Sequence, residues 1–154
     1  MSTPYERLKA LGLELPTPAV PVANYVPFVL ADGFLYLFGQ GPRRADGSYS
    51  TGKVGSTVST EQAYRDAQLT GLNLLAVAHL ALGDLARVRR VVKVLGMVNA
   101  VPDYADQPKV INGCSDLFVN VLGEAGRHAR SAVGMGSLPN MMSVEIEVIM
   151  QVAG

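Results

Sequence analysis

Gly126-Arg127-His128-Ala129-Arg130-Ser131-Ala132-Val133, followed beyond a Leu138-Pro139 turn by Val144-Glu145-Ile146-Glu147-Val148, is the stretch whose reading decides the fold of this chain. An Arg-Ser pair enters an apolar run, and the second segment alternates apolar and acidic residues. That alternation belongs to a strand, because successive side chains of an extended chain point to opposite faces. It sends Glu145 and Glu147 to one face and Val144, Ile146 and Val148 to the other. Strands are therefore expected around Arg130–Met135 and Ser143–Val152, joined by Ser137-Leu138-Pro139-Asn140.

Upstream, a β-branched run from Val88 to Val98 predicts a long strand, and Asp103 to Pro108 lead into a helix of about Lys109 to Leu122, closed by Gly123. Before them, Ser59 or Thr60 caps a long helix that ends at Gly83, with Ala63, Ala67, Leu74, Leu75, Ala78 and Leu82 on its apolar face. Tyr25–Leu30 and Phe34–Phe38 flank Ala31-Asp32-Gly33, a hairpin signal, because Asp-Gly tolerates the positive φ of a tight turn. Gly39-Gln40-Gly41-Pro42 ends the second of these strands. Residues 43–57, rich in Gly, Ser and charge, read as an exposed loop carrying Lys53. At the N-terminus, Thr3-Pro4-Tyr5-Glu6 is a capping box whose helix runs to about Lys9–Leu11 and stops at Gly12. The prolines of Leu15-Pro16-Thr17-Pro18-Ala19-Val20-Pro21 forbid helix and predict an extended connector packed along the domain.

The order is thus α, β-β, α, β, α, β-β. Hairpins at both ends with helices between them predict an α+β layer: a mixed, mainly antiparallel sheet covered by helices on one face. The whole chain, 1–154, reads as a single domain, with residues 1–21 as a helical and proline-rich extension. So many apolar strand residues need a second cover, which predicts a homo-oligomer.

Composition narrows the function classes. Of 154 residues 49% are hydrophobic and 17% charged, enough for one core without staples. Thirteen basic and thirteen acidic residues cancel, so nothing draws the chain to nucleic acid or an anionic membrane. Cys114 has no partner for an intramolecular disulfide, and Met1–Gly12 lacks the apolar core of an export signal; a cytoplasmic location is expected. The longest apolar stretch, Leu74 to Leu82, is far too short to span a membrane.

Chemistry-bearing residues are few. Arg130 enters an apolar strand, where its planar fork suits a carboxylate; on residue type alone a structural ion pair, to Glu145 or across a subunit contact, is the commoner reading. Glu145 and Glu147 read either as a solvated edge or as a group that orients water. His79 falls among leucines in mid-helix, and His128 near a helix end reads as a carbonyl cap or a pocket residue. Cys114 reads as a small core residue. Neither a metal-ligand spacing nor a phosphate-binding glycine motif occurs, so neither a zinc site nor nucleotide binding is expected.

Asn24-Tyr25, Phe38-Gly39-Gln40-Gly41-Pro42, Val110-Ile111-Asn112-Gly113 and, above all, Arg130-Ser131-Ala132-Val133 with Leu138-Pro139 and Val144-Glu145-Ile146-Glu147 resemble the RidA/YjgF family of enamine/imine deaminases. The resemblance runs from about Val22 to Val152 and looks like a longer, less characterised branch. It implies a chorismate-mutase-like α+β fold, a homotrimer with pockets at the subunit interfaces, and cofactor-free hydrolysis of reactive imino and enamino acids to 2-keto acids and ammonia. In that scheme Arg130 holds the substrate carboxylate and Glu145 positions the attacking water. Tyr25 lines the pocket, Gly39 and the Ala132 backbone contact the substrate, and Asn112 supports the site from its helix.

One departure sets up a second reading. Deaminases of the family commonly carry cysteine two residues after the site arginine, where this chain has Ala132. Hence the alternative expectation of a non-catalytic module that binds small carboxylate metabolites in the same pocket. An RNA-directed activity, a label some relatives bear, fits badly with the balanced charge.

Overall fold

The computed structural model describes residues 2–19, 21 and 23–154. Val20 of the predicted connector and Val22, where the resemblance begins, lie outside the described residues. Helices α1 (Pro4–Ala10), α2 (Thr60–Leu82) and α3 (Gln107–Leu122) accompany strands β1 (Phe28–Ala31), β2 (Phe34–Gln40), β3 (Val88–Asn99), β4 (Ala129–Met135) and β5 (Val144–Val152). The strands form one sheet in the order β1-β2-β5-β3-β4, antiparallel throughout except for the parallel pair β3–β4. This is the expected mixed, mainly antiparallel α+β layer.

Register explains which face is core. Val148 pairs with Leu37 on one side and with Val94 on the other, and all three are buried. Paired residues share a face, so Leu35, Leu37, Val91, Val94, Val98, Ile146, Val148 and Met150 form the surface that α2 and α3 cover. The opposite face carries Tyr36, Lys93, Leu95, Glu145, Glu147 and Ile149, with Tyr36 among the exposed large hydrophobic residues. Glu145 and Glu147 thus stand on the face away from the core, as the alternation requires.

The C-terminal strands are not a hairpin, and this corrects the expectation. β5 lies in the sheet interior between β2 and β3, while β4 reaches the edge through the β3–α3–β4 crossover. Leu138-Pro139 does turn the chain, with Asn140 and Met141 at φ 56° and 55°. A turn residue bends the backbone but does not choose the partner. The unbroken apolar face of β5, nine residues long, needs a strand on each side.

Local signals account for the helix ends. Thr3 Oγ1 accepts the Glu6 N–H at 3.1 Å, Ser59 caps α2 by accepting the Gln62 N–H at 3.1 Å, and Gly83 closes it at φ 77°. β1 begins at Phe28, later than the expected Tyr25, because Pro27 has no N–H for a ladder. α1 packs on the domain: Leu8 is buried, and Arg7 donates to the Val121 carbonyl at 3.2 Å.

Residues 43–57 are less exposed than their composition suggests. Val54 is fully buried and bridges to Ala100, and Ser50 is buried. Their anchor is a carboxylate on α2. Asp66 Oδ2 accepts from Ser50 Oγ at 2.8 Å and Ser143 Oγ at 2.7 Å, and Oδ1 accepts from Gln62 Nε2 at 2.9 Å. Cys114 is fully buried where α3 meets α2, and burial pushes its thiol far above the usual cysteine range. No helix of the described residues is long and apolar enough to cross a membrane.

Candidate functional site

The residues singled out in the sequence fall into two groups of three, on opposite faces of the sheet. The first surrounds a cavity of about 460 Å³ between the N-terminal segment, the end of β2 and the start of β5. Tyr25, Gly39 and Glu145 line it, with Ala19, Pro21 and Asn140. Gly39 sits where β2 shifts register against β5. A Cβ there would overlap Glu145 Oε2, so only glycine admits the carboxylate at this point. The Tyr25 ring leans on Phe38, centroids 6.0 Å apart.

Glu145 makes no ion pair among the described residues. Partial burial raises its pKa above the ordinary glutamate value, and the like charge of Glu147 on the same face adds to this. No Lys, Arg or His lines the cavity. It therefore holds a proton acceptor without a cation to bind an acidic ligand.

The second group holds the cation. Arg130 pairs in register with Val94, a core residue, so its side chain leaves β4 on the helix-covered face and meets α3. Nη1 donates to Ser115 Oγ at 3.0 Å and Nη2 to the Pro108 carbonyl at 3.2 Å. Pro108, Asn112 and Ser115 recur at helical spacing on one side of α3, so Asn112 lies between the two groups that Arg130 grips. Ala132 is paired with Gly96 and follows Arg130 along the same side of β4. Among the described residues Arg130 makes no ion pair with Glu145, which is on the other face of the sheet, and its hydrogen-bond partners are neutral.

Some positions around Arg130 and the cavity had no signal in the sequence. Ser115, bridging Arg130 and His128, is one polar residue among several on α3. Ala19 and Pro21 of the connector reach the cavity wall. His128 does cap a carbonyl, through Nδ1 to Gly126 O at 2.6 Å. His79 Nδ1 and the Tyr5 hydroxyl share a hydrogen bond of 2.8 Å. No group of acidic, His or Cys residues among the described residues is arranged to hold a metal ion.

Comparison with known proteins supplies context for this geometry. A family model described as "YjgF/chorismate_mutase-like, putative endoribonuclease" matches residues 5–148. Protein TCP17 of Trypanosoma cruzi is 39% identical over 145 residues, covering 94% of this chain and 91% of that protein. A solved Agrobacterium tumefaciens protein of unknown function is 47% identical, with a TM-score of 0.92 over 97% of this chain and 92% of that one. A Shewanella oneidensis structure bearing the same endoribonuclease description is 31% identical, with a TM-score of 0.93 over 98% of this chain and 100% of that one.

Proposed function

This chain belongs to the YjgF/chorismate-mutase-like family, and from that premise we propose that it hydrolyses reactive imino and enamino acids to 2-keto acids and ammonia, in a pocket built between two copies. One observation carries the reading. The proton acceptor and the carboxylate-binding cation stand on opposite faces of one sheet, so a single copy cannot bring both to one ligand. The face bearing Glu145 keeps Tyr36 exposed beside it, and Tyr25, Val29 and Leu30 are exposed at the β1 edge, an apolar surface suited to self-association. A cyclic homotrimer, in which Glu145 of one copy meets Arg130 of the next, gives three equivalent pockets.

In the proposed chemistry Arg130 takes the substrate carboxylate through its unused N–H groups, which fixes the position of the adjacent imine carbon. An enamine is first protonated at its terminal carbon by the Glu145 carboxyl, giving the iminium and the carboxylate, which regains its proton in the next step. Glu145 then accepts a proton from water as the water oxygen bonds to the imine carbon and the C=N π pair moves to nitrogen. The carbinolamine transfers a proton to nitrogen, the C–N bond breaks, and ammonia leaves behind the C=O of the 2-keto acid. Gly39 leaves room for Glu145, Tyr25 walls the cavity, and Asn112 and the Ala132 backbone complete the Arg130 side. The whole chain acts as one domain, in the cytoplasm, where such intermediates arise.

An amino-acid oxidase coupled to an imine trap tests this. Accelerated loss of imine that disappears in Arg130→Ala supports the deaminase. Saturable binding of pyruvate without turnover supports instead the carboxylate-binding module, which Ala132 in place of the common cysteine favours. Salt-sensitive RNA cleavage with an idle imine assay would overturn both.

A further inference from the structure

Arg130 is gripped from one side, and the grip is directional. His128 Nδ1 lies 2.6 Å from the Gly126 carbonyl oxygen, which only accepts, so Nδ1 carries the ring proton. In the neutral ring Nε2 is then an acceptor, 2.8 Å from Ser115 Oγ, and the Ser115 hydroxyl hydrogen points at the imidazole. With that hydrogen committed, the Oγ lone pairs face the Arg130 Nη1 donor at 3.0 Å. The run is therefore Arg130 N–H to Ser115 O, Ser115 O–H to His128 Nε2, and His128 Nδ1–H to Gly126 C=O.

The ring is held as firmly as the chain of bonds. Fully buried Phe118 meets it edge-on, centroids 6.0 Å apart. Burial lowers the His128 pKa by more than its hydrogen bond to the Gly126 carbonyl raises it, and the nearby Arg130 charge adds to the lowering, which favours the neutral imidazole.

Resting on the reading of Arg130 as the carboxylate anchor, we propose that Ser115 and His128 are positioning residues for it. The relay from Gly126 through His128 and Ser115 fixes the guanidinium so that its free N–H edge meets the substrate carboxylate. Both contacts to Arg130 are neutral, so its orientation is set without spending its charge.

The test pairs nitrogen NMR with pyruvate titration on the assembled protein. Histidine ring spectra of the wild type should show the His128 ring in the Nδ1–H form, the chain having only two histidines. Ser115→Ala should shift the His128 Nε2 signal and leave His79 unmoved. Pyruvate Kd should rise about tenfold in Ser115→Ala and in His128→Ala, the loss of one hydrogen bond to a charged group. Ser115→Thr should restore it, and in turnover the deficit should fall on KM with kcat retained. If both variants bind pyruvate like the wild type while Arg130→Ala does not, the relay is refuted and the anchor stands. If Arg130→Ala itself binds like the wild type, the anchor fails and the relay with it. His128 in the Nε2–H form, or a loss in kcat alone, also refutes the relay.

Discussion

If the pocket takes Glu145 from one copy and Arg130 from the next, two inactive variants should rescue each other. Each substitution alone, Arg130→Ala or Glu145→Gln, removes a charged group from every pocket and should lower kcat/KM on the order of 100-fold. In a mixture of equal amounts, allowed to exchange subunits, a pocket is intact only when its arginine comes from a Glu145→Gln copy and its glutamate from an Arg130→Ala copy. Each condition holds for half the copies and the two are independent, so about one quarter of the pockets, and of the wild-type activity, should return. The fraction does not depend on the number of copies in the ring. The assay is imine loss coupled to an amino-acid oxidase, before and after exchange under mild denaturant, with each parent treated alone. Activity that stays at the parental level after verified exchange would refute the composite pocket, because a pocket made by one copy cannot be repaired by another.

The remaining predictions test the parts separately. Glu145 acts as a carboxylate whose pKa is raised by burial and by Glu147, so the acid limb of the pH–rate profile should lie above the ordinary glutamate range. Glu147→Gln should move that limb to lower pH, since removing a like charge favours ionisation; an unmoved limb argues against Glu145 as the titrating group. Gly39→Ala should abolish turnover by displacing the Glu145 carboxylate while changing stability by no more than about 1 kcal/mol in chemical denaturation. Wild-type turnover in that variant would rule Glu145 out of the reaction. Asp66→Ala strands two buried serine hydroxyls and should cost about 3 kcal/mol, read as a lower midpoint in urea; an unchanged midpoint would show that the loop is held by other contacts.

What the sequence disclosed was what is local. Thr3, Ser59, Gly83 and Asp32-Gly33 mark their helix ends and turn through contacts within a few residues, and the β5 alternation depends only on the pleat. Pairing is not local. Nothing in Leu138-Pro139 says that β5 passes the edge and inserts between β2 and β3, because that choice is made by the total apolar area each arrangement buries. The loop at 43–57 misled for the same reason: its polar composition is satisfied internally, by Asp66, while Val54 fills the core. The site was named residue by residue through the family resemblance. Its division between two faces follows from the parity of Arg130 and Glu145 relative to the core, which only register reveals.

That division has a physical use. An arginine and a glutamate placed side by side on one chain would neutralise each other, and a substrate carboxylate would have to compete with a permanent intramolecular partner. Here neither group has such a partner. Arg130 is held by a hydroxyl and a carbonyl, which set its direction and leave its charge whole. Glu145 faces a cavity without a cation and is pushed by burial and Glu147 toward holding a proton, which makes it a stronger base once ionised. In the proposed composite pocket, bringing the two together across a copy boundary would put the ligand between them. The ligand's carboxylate would satisfy the arginine, and its imine carbon would be left facing the base. On that proposal a single copy holds two half-sites, and only assembly would make a reaction site of them.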